Sequence, residues 1–363
     1  MALPPLTGHT GLRTRLAHAV AKGALPQVIL LTGPAGVGKQ RLSLWLAQLV
    51  LCERRDSEPC RECRTCRLVE TLSHPDVHWF IPVPRPKASD PDKQVEEAAQ
   101  SLAQVLDERR SQPLYGESDG MASHSVATVR LLQRRATLTS VEGGRRVFII
   151  GEADRLVAQE ASPEAANALL KLLEEPPAGS LFVLTTVEPR RLLPTVRSRA
   201  VTLRLGRLTD GEVREFLETF LRPKPTSREL DQRVISGEGS IGKALQAGPA
   251  GGKAQEAVDR LLEGVLAGPG PALERALNQP PWSARGEFTA MLDVLAETLG
   301  EAARVSVGQA PRRELPESLL RHGRPEPLLR ALERVADARE AAWGNVNPQI
   351  LLAVLGQELA EVL

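Results

Sequence analysis

The run Gln27-Val-Ile-Leu-Leu-Thr32-Gly33-Pro-Ala-Gly-Val-Gly-Lys39-Gln40 constrains the fold more than any other part of the chain. Its apolar half reads as a buried parallel strand. A glycine-rich turn follows, and Arg41 to Leu51 then has the apolar spacing of a helix. Strand, G-x-x-x-x-G-K loop and helix, in that order, is the context a phosphate loop requires. Gly33, Gly36 and Gly38 let backbone N–H groups converge on phosphate oxygens, and the helix start adds partial positive charge. Lys39 would reach the terminal phosphates. The next position breaks the pattern: Gln40 stands where a Ser or Thr hydroxyl normally coordinates Mg²⁺.

A second half of such a site is legible in Val147-Phe-Ile-Ile-Gly151-Glu152-Ala153-Asp154, a strand ending in acids. In an active site of this class an Asp at the strand end holds Mg²⁺ and the following acid polarises the attacking water. Here Gly151 takes the Asp position and Glu152 keeps the position of the base. The hydroxyl at 40 and the carboxylate at 151 are therefore both missing, and the Mg²⁺ site is expected to be lost. Phosphoryl transfer depends on positioning and charge neutralisation. The expectation is a degenerate site that can take ATP or ADP but does not hydrolyse it. Asp154 reads as a helix-start cap, with a replacement metal ligand as the alternative.

The rest of the chain alternates strands and helices up to about residue 206. Further strands are expected at Leu181–Thr185 and Val201–Leu205. Helices are expected at 11–22, with Leu12, Leu16, Ala19 and Val20 at helical spacing, at about 94–110, and at Val126–Thr137. Another begins at Ser162-Pro163-Glu164, a capping hydroxyl, a first-turn proline and an acid. It carries Ala165, Leu169, Leu172 and Leu173 on one face and stops at Pro176-Pro177. The turn Glu142-Gly-Gly144 introduces the strand at 147. This is an α/β architecture with a largely parallel sheet. The segment 82–120, rich in Pro, Asp, Ser and Lys, reads as a surface excursion with no legible function. After Gly206 the strand signals stop. Residues 208–247 form a small helical group, Gly248 to Gly252 a linker, and 253–363 a helical region broken near Gly268-Pro-Gly-Pro271, Pro280-Pro281 and Pro311. The expected domains are 1–206, 207–249 and 250–363, in keeping with 363 residues being too many for one ordinary core.

Cys52, Cys60, Cys63 and Cys66 are all the cysteines of the chain, spaced C-x7-C-x2-C-x2-C. Closely spaced C-x2-C steps let thiolates turn around one tetrahedral ion, and four complete a structural Zn²⁺ shell with no open position. Disulfides are the alternative. His74 and His78 lie nearby and read as ordinary structural residues. No apolar h-region opens the sequence and no run of 18 or more apolar residues occurs, so the expectation is a cytoplasmic protein with no membrane partner. A net charge of +1 excludes a global basic field and leaves only local DNA contacts.

Three further runs carry a resemblance. Asn167-Ala-Leu-Leu-Lys-Leu-Leu-Glu-Glu-Pro-Pro177, Leu181-Phe-Val-Leu-Thr-Thr186 and Leu193-Pro-Thr-Val-Arg-Ser-Arg199 are similar to hallmark runs of bacterial DNA polymerase III clamp-loader subunits. The resemblance covers most of residues 1–247. It implies an AAA+ P-loop module, a helical lid over 207–249, and a collar over 250–363 that assembles a five-membered ring. The zinc-binding insertion at about 52–67 has its counterpart in that family. Thr186 matches the sensor 1 position, with Thr185 one residue away. Arg199 matches an arginine finger that acts in trans, with Ala200 where the family has Cys. Gly239-Ser-Ile-Gly-Lys243 resembles the sensor 2 helix, with Lys243 where Arg is usual; Lys keeps the charge and loses the planar fork.

Gln40 and Gly151 favour the non-hydrolysing member of the family over its motor member, and so do Asn345-Val-Asn-Pro-Gln349 before the final helix and the lack of a long tail. The resemblance implies gamma/tau and delta subunits as partners, with the sliding clamp and primer-template DNA in the same complex. An active AAA+ motor subunit is the alternative. A zinc-bearing DNA-binding protein is disfavoured by the near-neutral charge and the lack of a recognition-helix pattern.

Overall fold

The structure, a computed structural model, describes residues 3–54, 56–114, 122–142, 144–156, 164–247, 252–277, 285–311, 315–320, 324–342 and 346–363. The chain divides into two compact units, the first running to Leu245 and the second from Gln246 to Leu363.

The first unit is built on the strand the sequence most clearly announces. β1 (Val28–Thr32) is buried at all five positions, as a strand covered on both faces must be. α1 (Thr10–Ala21) precedes it, burying Leu12 and Leu16, and α2 (Lys39–Leu51) follows directly from the glycine loop. α3 (Arg64–Glu70) leads to β2 (Val77–Phe80), a fifth strand beyond the four expected. Only four residues long, β2 contains His78, whose ring stacks on Phe148 at 5.0 Å, so its polar member hid an apolar run. α4 (Pro91–Ser111) is capped by the Asp90 side chain, which accepts from the N–H groups of Asp92 and Lys93 at 3.0 Å, with proline at its first position. α5 (Val126–Thr137), β3 (Arg146–Ile150), α6 (Glu164–Glu174), β4 (Ser180–Thr186), α7 (Pro194–Arg197) and β5 (Val201–Arg204) complete the sandwich.

The sheet order is β2-β3-β4-β1-β5 and every pairing is parallel. Thr32 pairs with Thr186, and Ile150 with Leu184, so the carboxyl ends of β1, β3 and β4 come out together. That edge is where ligands sit in open α/β sheets. The core fills with aliphatic side chains and a stack of Phe148 on Phe182, centroids 4.9 Å apart.

α8 (Asp210–Phe220), α9 (Ser227–Gly237) and α10 (Ile241–Gln246) follow, the first two opened by capping boxes from Thr209 with Glu212 and Thr226 with Glu229. They have a small core of their own around Val213, Leu217, Leu230 and Ala244, yet belong to the first unit. The compact division thus falls at Leu245, while 207–249 was expected as a separate domain.

The second unit is all helical: α11 (Gly252–Ala267), α12 (Pro269–Leu277), α13 (Arg285–Ser306), α14 (Glu317–Leu320), α15 (Pro325–Ala342) and α16 (Pro348–Val362). Its core holds Leu261, Phe288, Leu292, Leu328 and Leu355. Asn347 caps α16 by accepting from the Gln349 N–H at 2.8 Å. Ser162-Pro163, Gly143 of the expected turn, Gly248 to Gly251, Pro280-Pro281 and Asn345 lie outside the described residues.

Candidate nucleotide-type site and cysteine cluster

The loop Gly33–Gly38 connects β1 to α2 as predicted, and Lys39 opens the helix. Lys39 is buried, and its Nζ donates to the carbonyls of Gly33 at 2.9 Å and Pro34 at 2.6 Å. The start of α10 packs on the same loop. Ser240 Oγ donates to the Ala35 carbonyl at 2.9 Å, and the Gly242 N–H donates to the Gly36 carbonyl at 3.0 Å. Gly36 has a φ of +68°, and a Cβ there would fall 2.8 Å from the Gly242 Cα. Only glycine permits that backbone-on-backbone approach. Within Gly239–Lys243 both Ser240 and Gly242 meet the loop, and the Lys243 N–H donates to Ser240 Oγ at 3.2 Å.

Gln40 lies in the first turn of α2 and points at the end of β3. Its Nε2 donates to Glu152 Oε1 at 3.4 Å, a long bond. Its Oε1 accepts from Arg109 Nη1 at 3.1 Å. A Cβ added at Gly151 would sit 3.0 Å from the Gln40 amide. The two departures from the motif are thus complementary: the amide uses the space that glycine leaves. Glu152 is held in a left-handed backbone conformation, φ 51°, with its N–H donating to Thr185 Oγ1 at 3.1 Å. Its carboxylate also pairs with Arg155, 2.9 Å away. The acid positioned as a base is thus tied to a neighbouring guanidinium as well as to Gln40. This donor set, an amide, a glycine and a carboxylate already paired, does not fit a magnesium ion, which demands near-ideal octahedral oxygen ligation.

Of the two adjacent threonines, Thr185 touches the Glu152 backbone. Thr186 donates through Oγ1 to Asp154 Oδ1 at 2.6 Å and accepts from the Glu188 N–H at 3.0 Å. Asp154 is buried in a short 3₁₀ turn, Ala153–Leu156. Arg199 sits between α7 and β5. It pairs with Glu174 at the end of α6, and its Nη1 donates to the Thr195 carbonyl at 2.7 Å.

Sequence reasoning missed Arg109 and Trp79. Arg109 is 4% exposed on α4, inside the segment that carried no legible function, and its guanidinium lies 4.5 Å from the Trp79 ring centroid. No spacing links residues 40, 79, 109 and 152; only the sheet order and the crossing of α4 join them. His124 is another: its Nε2 lies 2.7 Å from the Gly151 carbonyl, and complete burial holds its pKa below the ordinary histidine value.

The four cysteines converge on one point, each Sγ within 4.8 Å of the others. Cys52 ends α2 and Cys63 caps α3, which fixes the approach. The Cys60 N–H donates to Cys52 Sγ at 3.5 Å, that of Cys63 to Cys60 Sγ at 3.3 Å, and that of Cys66 to Cys63 Sγ at 3.4 Å. Those donors favour thiolates. The N–H groups of Cys63 and Glu62 draw the Cys60 pKa down to about 6, whereas burial pushes those of Cys52 and Cys66 up. A divalent cation would relieve that burial cost, and the all-thiolate set fits a soft, tetrahedral metal ion.

A parallel sheet with a G-x-x-x-x-G-K loop on an inner strand, an acidic turn beside it and a helical group seated on the loop is the AAA+ fold. The family model described as DNA polymerase III, delta subunit matches residues 8–209, more than half of the chain, and the chain belongs to that family. It is 31% identical to the DNA polymerase III subunit delta' of Bacillus subtilis over 188 residues, 52% of this chain and 44% of that relative. It is 31% identical to the delta' subunit of Pseudomonas aeruginosa over 262 residues, 72% of this chain and 64% of that one. Identity to the Escherichia coli delta' subunit is 26% over 350 residues, 94% and 91% of the two chains. The chain thus spans less than two thirds of the length of the first two of these relatives. Among the described residues no helix is long and apolar enough to cross a membrane.

Proposed function

We propose that this chain is a non-hydrolysing subunit of the bacterial DNA polymerase III clamp loader, and that it acts on ATP only in a neighbour's site. The observation that carries the reading is the coupled replacement at Gln40 and Gly151, with the Gln40 amide bonded between Glu152 and Arg109. A site that neither holds Mg²⁺ nor frees its carboxylate lacks the groups that neutralise the transferring phosphoryl.

The chain would instead present Arg199. Its guanidinium sits at a strand entry at the edge of the module, and its ion pair with Glu174 is partly exposed. Such a pair holds its partner weakly and can be exchanged for a phosphate. In a ring with gamma/tau and delta subunits, Arg199 would reach the adjacent ATP and stabilise transition-state charge in trans. The ring would then open the sliding clamp and place it on primed DNA. The second unit would serve as the collar, and the four cysteines would hold one structural Zn²⁺.

The test is ATP hydrolysis by the chain alone and by a reconstituted loader containing wild type or Arg199→Ala. An inactive chain alone, and a ring whose DNA-stimulated turnover falls by roughly 10³-fold or more on Arg199→Ala, are the expected results. Turnover by the isolated chain that disappears in Lys39→Ala would make it a motor subunit and end this reading.

A further inference from the structure

Arg109 is a buried cation placed where this class of site expects a different one. Its side chain comes from α4 and lies on the Trp79 face, 4.5 Å from the centroid. Its Nη1 reaches Gln40 Oε1 at 3.1 Å, and the same amide reaches Glu152 at 3.4 Å. The chain guanidinium, amide, carboxylate therefore links the start of α2 to the end of β3. In a hydrolysing P-loop site that gap is bridged by Mg²⁺, held by the loop hydroxyl on one side and the strand-end carboxylate on the other.

We infer that Arg109 is a built-in cation that excludes a divalent metal ion from this pocket, so that the altered residues at 40 and 151 are only part of what keeps metal out. The inference rests on the non-hydrolysing reading above and adds the residue that enforces it. A guanidinium cannot be neutralised by losing its proton. Its charge is fixed inside a poorly solvated pocket, where repulsion of a divalent ion a few ångströms away is strong. Restoring the two motif residues would not remove that charge. A carboxylate introduced at 151 would lie beside the amide position that Arg109 contacts, so the guanidinium would compete with a metal ion for it.

The experiment is a titration of the full chain with a fluorescent ADP, in Mg²⁺ and in EDTA. The proteins are wild type, Gln40→Thr/Gly151→Asp, and that pair combined with Arg109→Met. Methionine keeps an unbranched stem over the Trp79 ring, and thermal melting checks the fold; Arg109→Gln in the same background serves as the second triple variant. In the double variant Mg²⁺ is expected to change affinity less than twofold. In the triple variant it is expected to tighten binding at least tenfold. A double variant that already gains the tenfold overturns the role of Arg109, and so does a triple variant that gains none, including one that binds no nucleotide. Either result leaves the non-hydrolysing reading standing, since that reading falls only if the wild-type chain itself turns over ATP.

Discussion

The phosphate-loop pocket and the cysteine cluster occupy opposite ends of one helix. Lys39 and Gln40 open α2, and Cys52 closes it. Both ends are built by spaced motifs on the same rigid support, and both bring their side chains together. At the cysteine end all four ligand atoms converge, and among the described residues the groups that meet them, apart from one another, are backbone ones: three N–H donors and the Arg54 carbonyl, 3.2 Å from Cys52 Sγ. At the loop end the strand–loop–helix order is kept, but the side chains at the end of β3 meet each other: Gln40 with Glu152 and Arg109, Glu152 with Arg155. The difference teaches that a phosphate loop is two separable things. Its backbone geometry is maintained by packing between β1, α2 and α10. Its chemistry depends on a few side chains that can be exchanged without disturbing that geometry.

The largest effect expected is at the cysteine end. Structural zinc sites contribute on the order of 10 kcal/mol of apparent binding energy, so Cys66→Ser should abolish stoichiometric zinc and lower the melting temperature sharply. Native mass spectrometry and a thermal melt read this directly. A zinc-free chain with two disulfides and an unchanged melt would erase the contrast between the two ends.

Next comes the loader itself. Lys39→Ala in this subunit should change ring turnover less than twofold, because Lys39 is committed to the carbonyls of Gly33 and Pro34. Arg199→Ala should cost roughly 10³-fold. Comparable losses from the two changes would show the loop end to be chemically active and the comparison to be false.

A smaller, pH-dependent effect belongs to the strand that carries Trp79. Burial, then the charge of Arg135, pulls the His78 pKa down to about 4 from an unfolded value near 6.5. The unfolded chain therefore takes up the proton first. Stability is full above pH ~6.5 and falls as the pH drops towards 4, by about 3 kcal/mol from this residue. His78→Phe should keep the stack on Phe148 and flatten the profile in urea titrations between those pH values. An unchanged slope would remove His78 as its source.

Much of this was legible in the sequence. β1, β3, β4 and β5 announce themselves as apolar runs bounded by turns, and both motifs lie where their spacing places them. β2 was not legible, because four residues with a histidine among them carry too little pattern. The occupants of the pocket were half legible. Gln40 and Gly151 show as departures from a motif, whereas Arg109 has no motif to depart from. Its role exists only because α4 runs past β2 towards the end of β3, a long-range fact of topology. The sensor positions show a subtler limit. A one-residue register separates Thr185 from Thr186, and the contact of Thr185 Oγ1 with the Glu152 N–H, not the motif, identifies which of the two meets Glu152.

The smallest effect isolates the fit between the two departures. Gly151→Ala puts a Cβ 3.0 Å from the Gln40 amide, which must move and loosen its bonds to Arg109 and Glu152. A flexible side chain can yield at modest cost, about 1 kcal/mol. In a Gln40→Ser background the obstructing amide is gone, and the same Gly151→Ala change should cost only a few tenths of that. The double-mutant cycle, measured by urea unfolding, should return a coupling of about 0.5–1 kcal/mol. Additive costs would mean that position 151 tolerates a side chain whatever stands at 40. The loss of the carboxylate would then be an independent event, and the loop end would have been emptied of metal ligands one at a time instead of being refilled as a unit.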